Sequence, residues 1–392
     1  MSTVSVVKTR QTPDAREIEQ AVRMAVGLAG GLADLVRPGA LVLIKPNLVA
    51  VPDQQRSGAC TSPEVCKALA NLVRELGGRP IIAESSAIGV DTEKVIEKMG
   101  YHRLREEGYE VVDLKATPTV KLEIPNGEVL KDVTTFELVT KADVIISVPV
   151  MKTHDQCEVT LSLKNLKGLG VDRDKKWIHK VGVNEGVSDI NSVFKPALAV
   201  IDAIWTQEGL GPMWGLPVEM DLIIASRDLV AADAVASAIM GFEPREILTT
   251  RYAEARGLGT ADMSRIHVVG EPIQGVQRRF LRMIEDARLR MDGFDLVHAH
   301  GTCTGCRNGV MSSLFDLKNQ GLLDHVKGLT ILTGDGEPPH GVSEDNLLVV
   351  GVCCRRDLRQ SKRYVKGCPP NNIDIVQAIM RGREMKSPYA TE

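Results

Sequence analysis

Five of the eight cysteines, Cys303, Cys306, Cys353, Cys354 and Cys368, crowd the last quarter of a 392-residue chain. Thr302-Cys303-Thr304-Gly305-Cys306 is a C-x-x-C on a glycine-containing turn, the spacing that lets two thiolates share one metal centre. Two more thiolates complete a set of four. Such a set without a ligating histidine selects an iron–sulfur cluster or zinc. The Cys-Pro step in Gly367-Cys368-Pro369-Pro370 and the lack of a second C-x-x-C knuckle favour a 4Fe-4S cluster, with zinc as the alternative. Neighbours on a strand point to opposite faces, so one of Cys353 and Cys354 ligates while the other packs. The expected ligands are Cys303, Cys306, Cys353 and Cys368. The competing reading makes Cys353 and Cys354 small buried hydrophobes. His340, in a loop of glycines and prolines, is expected to be solvated, with a ligand or proton-donor role as the lesser alternative.

A second constellation is cationic. Lys45-Pro46-Asn47 and Lys152-Thr153-His154 each follow an apolar run that reads as a strand, as do Glu84, Ser85 and Ser86. Thr160, Lys164 and Lys167 recur at helical spacing opposite Val159, Leu163 and Leu166, which predicts an amphipathic helix ending at Gly168. Lysines are compact point charges suited to a carboxylate or phosphate. We therefore expect Lys45, Asn47, Lys164, Asn165 and Lys167 to bind an anionic substrate, with His154 and Lys152 as catalytic groups. The bland reading is a solvated lysine face. The chain has no Walker loop and no G-x-G-x-x-G, so a routine nucleotide site lacks support. Asp228 and Asp233 are expected to cap a helix.

These groups need a scaffold that gathers loops at one edge. Strands are predicted over 40–44, 80–83, 109–114 and 143–148, with intervening helices; the first starts at Ser62-Pro63 and the second spans 91–99. Asn126-Gly127 predicts a hairpin between 122–124 and 129–131. A strand over 221–225, a helix over 229–240, a strand over 265–270 and a charged helix over 276–291 follow. The tail repeats the pattern with strands over 294–297, 329–332 and 347–352 and helices over 310–319 and 373–380. The fold class is α/β: a mostly parallel sheet flanked by helices, with a smaller C-terminal α/β domain carrying the cysteines. The expected domains are 1–272 and 273–392. In such sheets ligands collect at the carboxyl ends of the strands, so both constellations fall where sites form.

Composition narrows the class. The apolar fraction is 43%, which fits a globular core. A net charge of −3 and 4% aromatics argue against nucleic acid as a partner. No apolar stretch is long enough for membrane insertion, and residues 1–10 lack a signal-peptide core, so the expected location is cytoplasmic. Nothing in the sequence fixes an oligomeric state.

Ile44-Lys45-Pro46-Asn47, Thr61 to Glu64, Val148 to His154, Thr160 to Gly168 and Arg227 to Gly241 together resemble the family called domain of unknown function 362, over about residues 40 to 242. The resemblance implies an association with iron–sulfur ligands, here extended to the tail, although the usual ferredoxin-type cysteine run is missing. Gly367-Cys368-Pro369-Pro370 also looks like a cluster-binding element of hydrogenase and respiratory-complex small subunits, whose other cysteines do not align. The resulting expectation is an iron–sulfur oxidoreductase of anaerobic metabolism, acting on an anionic small molecule and fed by an electron donor such as ferredoxin. The alternatives are a hydro-lyase using the cluster as a Lewis acid, which requires an iron without a cysteine, and a non-catalytic zinc-stapled binding protein.

Overall fold

Apolar alternation in the strand Leu41–Pro46 explains the layering. Val42 and Ile44 enter the core under the helices Ala15–Leu28 and Pro63–Glu75, whereas Leu43 enters the core on the opposite face. Lys45, two residues beyond Leu43, shares that second face. The computed structural model describes residues 1–380, so the end of the expected domain 273–392 lies outside the described residues.

The fold is α/β. Its main sheet runs Ile266–Gly270, Ser2–Lys8, Leu216–Ser226, Leu198–Glu208, Val144–Val148, Leu41–Pro46, Arg79–Glu84 and Glu110–Asp113 from edge to edge. Leu216–Ser226 is antiparallel to both neighbours, and the other pairings in this row are parallel. Val150–His154 adds to Leu198–Glu208 in parallel and turns back into Glu158–Thr160. A separate all-parallel sheet holds Asp295–His298, Thr330–Thr333, Leu347–Val350 and Tyr364–Val365 in chain order. No helix among the described residues is long and apolar enough to cross a membrane.

Local signals explain several boundaries. Ser62 caps Pro63–Glu75 through the Glu64 N–H, and Asp228 caps Leu229–Ile239 through the Ala231 N–H. Asp233 instead caps a different helix, accepting from the N–H groups of Ser162 and Leu163. That contact starts the helix Ser162–Asn165, which continues as a 3-10 turn over Leu166–Leu169. Thr160, expected on the same helix, pairs in a hairpin with Lys152.

Three other expectations change. The hairpin near Asn126-Gly127 pairs Thr119–Glu123 with Asp132–Phe136, so its loop is longer than a two-residue turn. The segment 276–291 is a strap after one helical turn: Arg278 and Phe280 donate to the carbonyls of Ile239 and Met240, which spends their N–H groups outside any helix. The helix expected over 310–319 spans Thr304–Asn319, which puts Cys303 at its N-cap and Cys306 in its first turn.

Candidate functional site

Leu41–Pro46, Arg79–Glu84 and Val150–His154 deliver their ends to one cavity of about 160 Å³. The turn 164–168 walls one side, and the helix Asp172–Val181 with residues 371–373 closes another. Lys45, Asn47, Lys152, His154, Lys164, Asn165 and Lys167 all line it.

Their amines are not equivalent. Lys45 Nζ lies 2.8 Å from Glu84 Oε2 and donates to Asn165 Oδ1 and the Pro46 carbonyl, so its charge is answered within the protein. Gly168 permits this pair: a Cβ there would sit 2.7 Å from Lys45 Nζ and 2.8 Å from Glu84 Oε1. Lys152 Nζ donates to the carbonyls of Ala59 and Pro212, and burial brings its pKa down to about 7. Lys175 is saturated by Ser85, Ser86 and Asp172. Lys164 has no hydrogen-bond partner among the described residues, and Lys167 meets only the His179 imidazole. Burial lowers the pKa of both, and Lys164 depresses Lys167 further.

His154 has an orienting partner. Its Nδ1 lies 2.8 Å from Asp155 Oδ1 and 3.0 Å from the Gln156 N–H. The Gln156 N–H already donates to that carboxylate oxygen at 2.8 Å, and a carboxylate cannot donate, so a proton on Nδ1 best satisfies the group. Nε2 is then a free acceptor. Burial, reinforced by Lys164, takes the His154 pKa down to about 4 and keeps the ring neutral. Burial opposes ionisation of Asp155, yet His154 and Asn372 hold its carboxyl below the ordinary range.

The sequence reading missed Lys175, His179, Asp155, Gln156 and Asn372. Lys175 and His179 stand four apart on Asp172–Val181, a spacing that was available but hidden in a charged run resembling a solvated face. Asn372 joins the cavity through tertiary contacts far from its neighbours in sequence, donating to Asp155 Oδ2 at 2.8 Å.

Cys303, Cys306, Cys353 and Cys368 follow the ends of parallel strands in the small sheet and interact electrostatically with one another. Cys303 is bonded by the Cys306 thiol and by helix N–H groups, which lower its pKa, while Cys306 is pushed up in return. Gly351 cradles the set, since a Cβ there would approach Cys306 Sγ at 3.0 Å. Cys353 is exposed, whereas Cys354 is buried with Leu332, Leu347 and Val349. His340 is exposed. No group of three or more His, Cys, Asp or Glu among the described residues is arranged to hold a metal ion. Four cysteines, thiolate donors by chemistry, stand on neighbouring turns, with Gly351 where a side chain would crowd sulfur.

The two constellations share a wall. Cys368 N–H donates to the His179 carbonyl and the Val183 N–H to the Cys368 carbonyl, while Asn371, Asn372 and Ile373 line the lysine cavity.

Residues 42–238 match the family profile described as "Domain of unknown function (DUF362)". The chain is similar to a thylakoid-associated protein of Synechocystis sp. (strain PCC 6803), 32% identical over 270 residues, which is 66% of this chain and 80% of the relative. It is also similar to the solved lactate racemase apoprotein from Thermoanaerobacterium thermosaccharolyticum, with a TM-score of 0.41, 11% identity and coverage of 97% of this chain and 90% of that one.

Proposed function

This chain belongs to the family described as "Domain of unknown function (DUF362)", and from that premise we propose an iron–sulfur oxidoreductase that holds a small carboxylate or phosphate in the lysine-lined cavity. The observation that carries the reading is the double use of residues 368–373, which bring Cys368 to the thiols and Asn371, Asn372 and Ile373 to the cavity wall. Lys164 and Lys167 bind the anion, and Lys45, neutralised by Glu84, builds the wall behind it. His154 accepts a proton at Nε2, oriented by Asp155. Cys303, Cys306, Cys353 and Cys368 would hold a 4Fe-4S cluster, which supplies single electrons when bound. An electron donor such as ferredoxin would approach by exposed Cys353, and the many free thiols suit a reducing cytoplasm.

Anaerobic purification with iron and sulfide analysis tests this. The expected result is about four iron and four sulfide per chain, lost in Cys303→Ser/Cys306→Ser and retained in Cys354→Ser. A colourless protein with stoichiometric zinc, or full iron and sulfide in the double variant, overturns it.

A further inference from the structure

The hydrogen bonds around the cavity impose a requirement on its ligand beyond charge. Asp155 Oδ2 can only accept, so Asn372 turns its amide nitrogen towards it, at 2.8 Å, and its Oδ1 towards Gln156. Gln156 must then donate through Nε2, to Asn372 Oδ1 at 2.9 Å and the Pro370 carbonyl at 3.3 Å. Its Oε1 is left buried without a partner. The same logic runs from the other side of the cavity. The Lys45 ammonium can only donate, so Asn165 presents Oδ1 to it at 3.0 Å, and Asn47 donates to that oxygen through Nδ2. Asn47 Oδ1 is likewise left buried and unpartnered. An ionised group thus fixes Asn372 and Asn165 directly, and through them Gln156 and Asn47, neither of which can flip without setting two amide oxygens against each other.

Two fixed acceptors on cavity-lining residues are unsuited to the oxygens of an anion, which bring only lone pairs. They call for a donor. Thr160 Oγ1, also unpartnered, can serve either kind of group. A donor carried on an ammonium would face the uncompensated Lys164 and Lys167 amines, so a neutral hydroxyl is the donor that fits.

We infer that the cavity selects a small organic anion bearing a hydroxyl group, its charged end at Lys164 and Lys167 and its hydroxyl at the amide oxygen of Asn47. This rests on the anion-binding reading above and adds the ligand's second functional group. Leaving a buried acceptor unmatched is costly, so an otherwise identical anion without the hydroxyl binds about tenfold or more weakly.

Isothermal titration of the full chain with malonate, tartronate and glycerol tests the inference. Tartronate is malonate with one hydroxyl added, and glycerol has hydroxyls without charge. The expected result is that tartronate binds at least about tenfold tighter than malonate and that glycerol does not bind. Asn47→Ala and Thr160→Val each reduce the tartronate-to-malonate ratio, and Lys164→Met weakens both anions. Equal affinities for the two anions in the wild-type chain overturn the hydroxyl requirement and leave anion binding standing. Failure of both anions to bind overturns the anion-binding reading and this inference with it.

Discussion

Lys45 and Lys164 line one cavity under different electrostatic conditions. Glu84 answers the first ammonium within the protein, whereas the second has only Cys157 and Asp155 as favourable electrostatic influences among the described residues and no hydrogen bond. Burial favours the neutral amine at Lys164 and Lys167, and a bound anion favours the ammonium, so binding raises both pKa values and takes up protons. While the ligand stays ionised, affinity is therefore greatest below the pKa values of the free amines and weakens as pH rises through those of the bound state. Titrating malonate in buffers of different ionisation enthalpy should show net proton uptake, and Lys164→Met should reduce it. His154 gives a second check: with its pKa at about 4, its imidazole NMR signals should not titrate between about pH 5 and 8. Asp316 gives a third. Its Oδ2 is buried without a partner, and burial, with Asp155 nearby, pushes its pKa up to about 7. A carboxyl raised above its unfolded value of 3.8 contributes stability that is complete at low pH and is lost as pH rises through about 7. Asp316→Asn should remove that decline and be more stable at high pH by about 1–3 kcal/mol, measured by urea unfolding across the range.

The elements that carry these residues were unequally legible. Pro63–Glu75 and Leu229–Ile239 announce themselves by capping residues and helical apolar spacing, and the central parallel strands by β-branched runs between turn residues. The cavity wall from 158 to 169 was hidden because its lysine spacing fits a helix, while Asp233, some seventy residues away, sets where the helix begins. The segment 276–291 has helical composition, but its backbone serves as a strap across Ile239 and Met240 and buries Phe280. No local pattern reports such partners. The strand Leu198–Glu208 also escaped the sequence reading, although it joins the parallel strands to antiparallel Leu216–Ser226. Gly168→Ala tests the wall as an element. The added methyl meets Lys45 and Glu84 at less than contact distance, so the pair must separate or the turn must move. The expected cost is about 1–3 kcal/mol in denaturant unfolding, together with weaker malonate binding.

Across the whole molecule, the two sheets meet through polar groups as well as apolar ones. Asp155 and Gln156 reach Asn372, and Glu158 reaches Asn308 and Arg282, so the hairpin beside the cavity is bonded to the part that carries the cysteines. The sequence makes each constellation legible on its own, because each follows strand ends at a carboxyl edge. Their shared wall was not legible, since it depends on how one sheet docks against the other. This joint wall makes the account testable by one measurement: electron paramagnetic resonance of the anaerobically reduced chain, before and after saturation with malonate. The account predicts an iron–sulfur signal that shifts when the anion binds, with the shift lost in Lys164→Met. Either the absence of an iron–sulfur signal or one unchanged by bound malonate would contradict it.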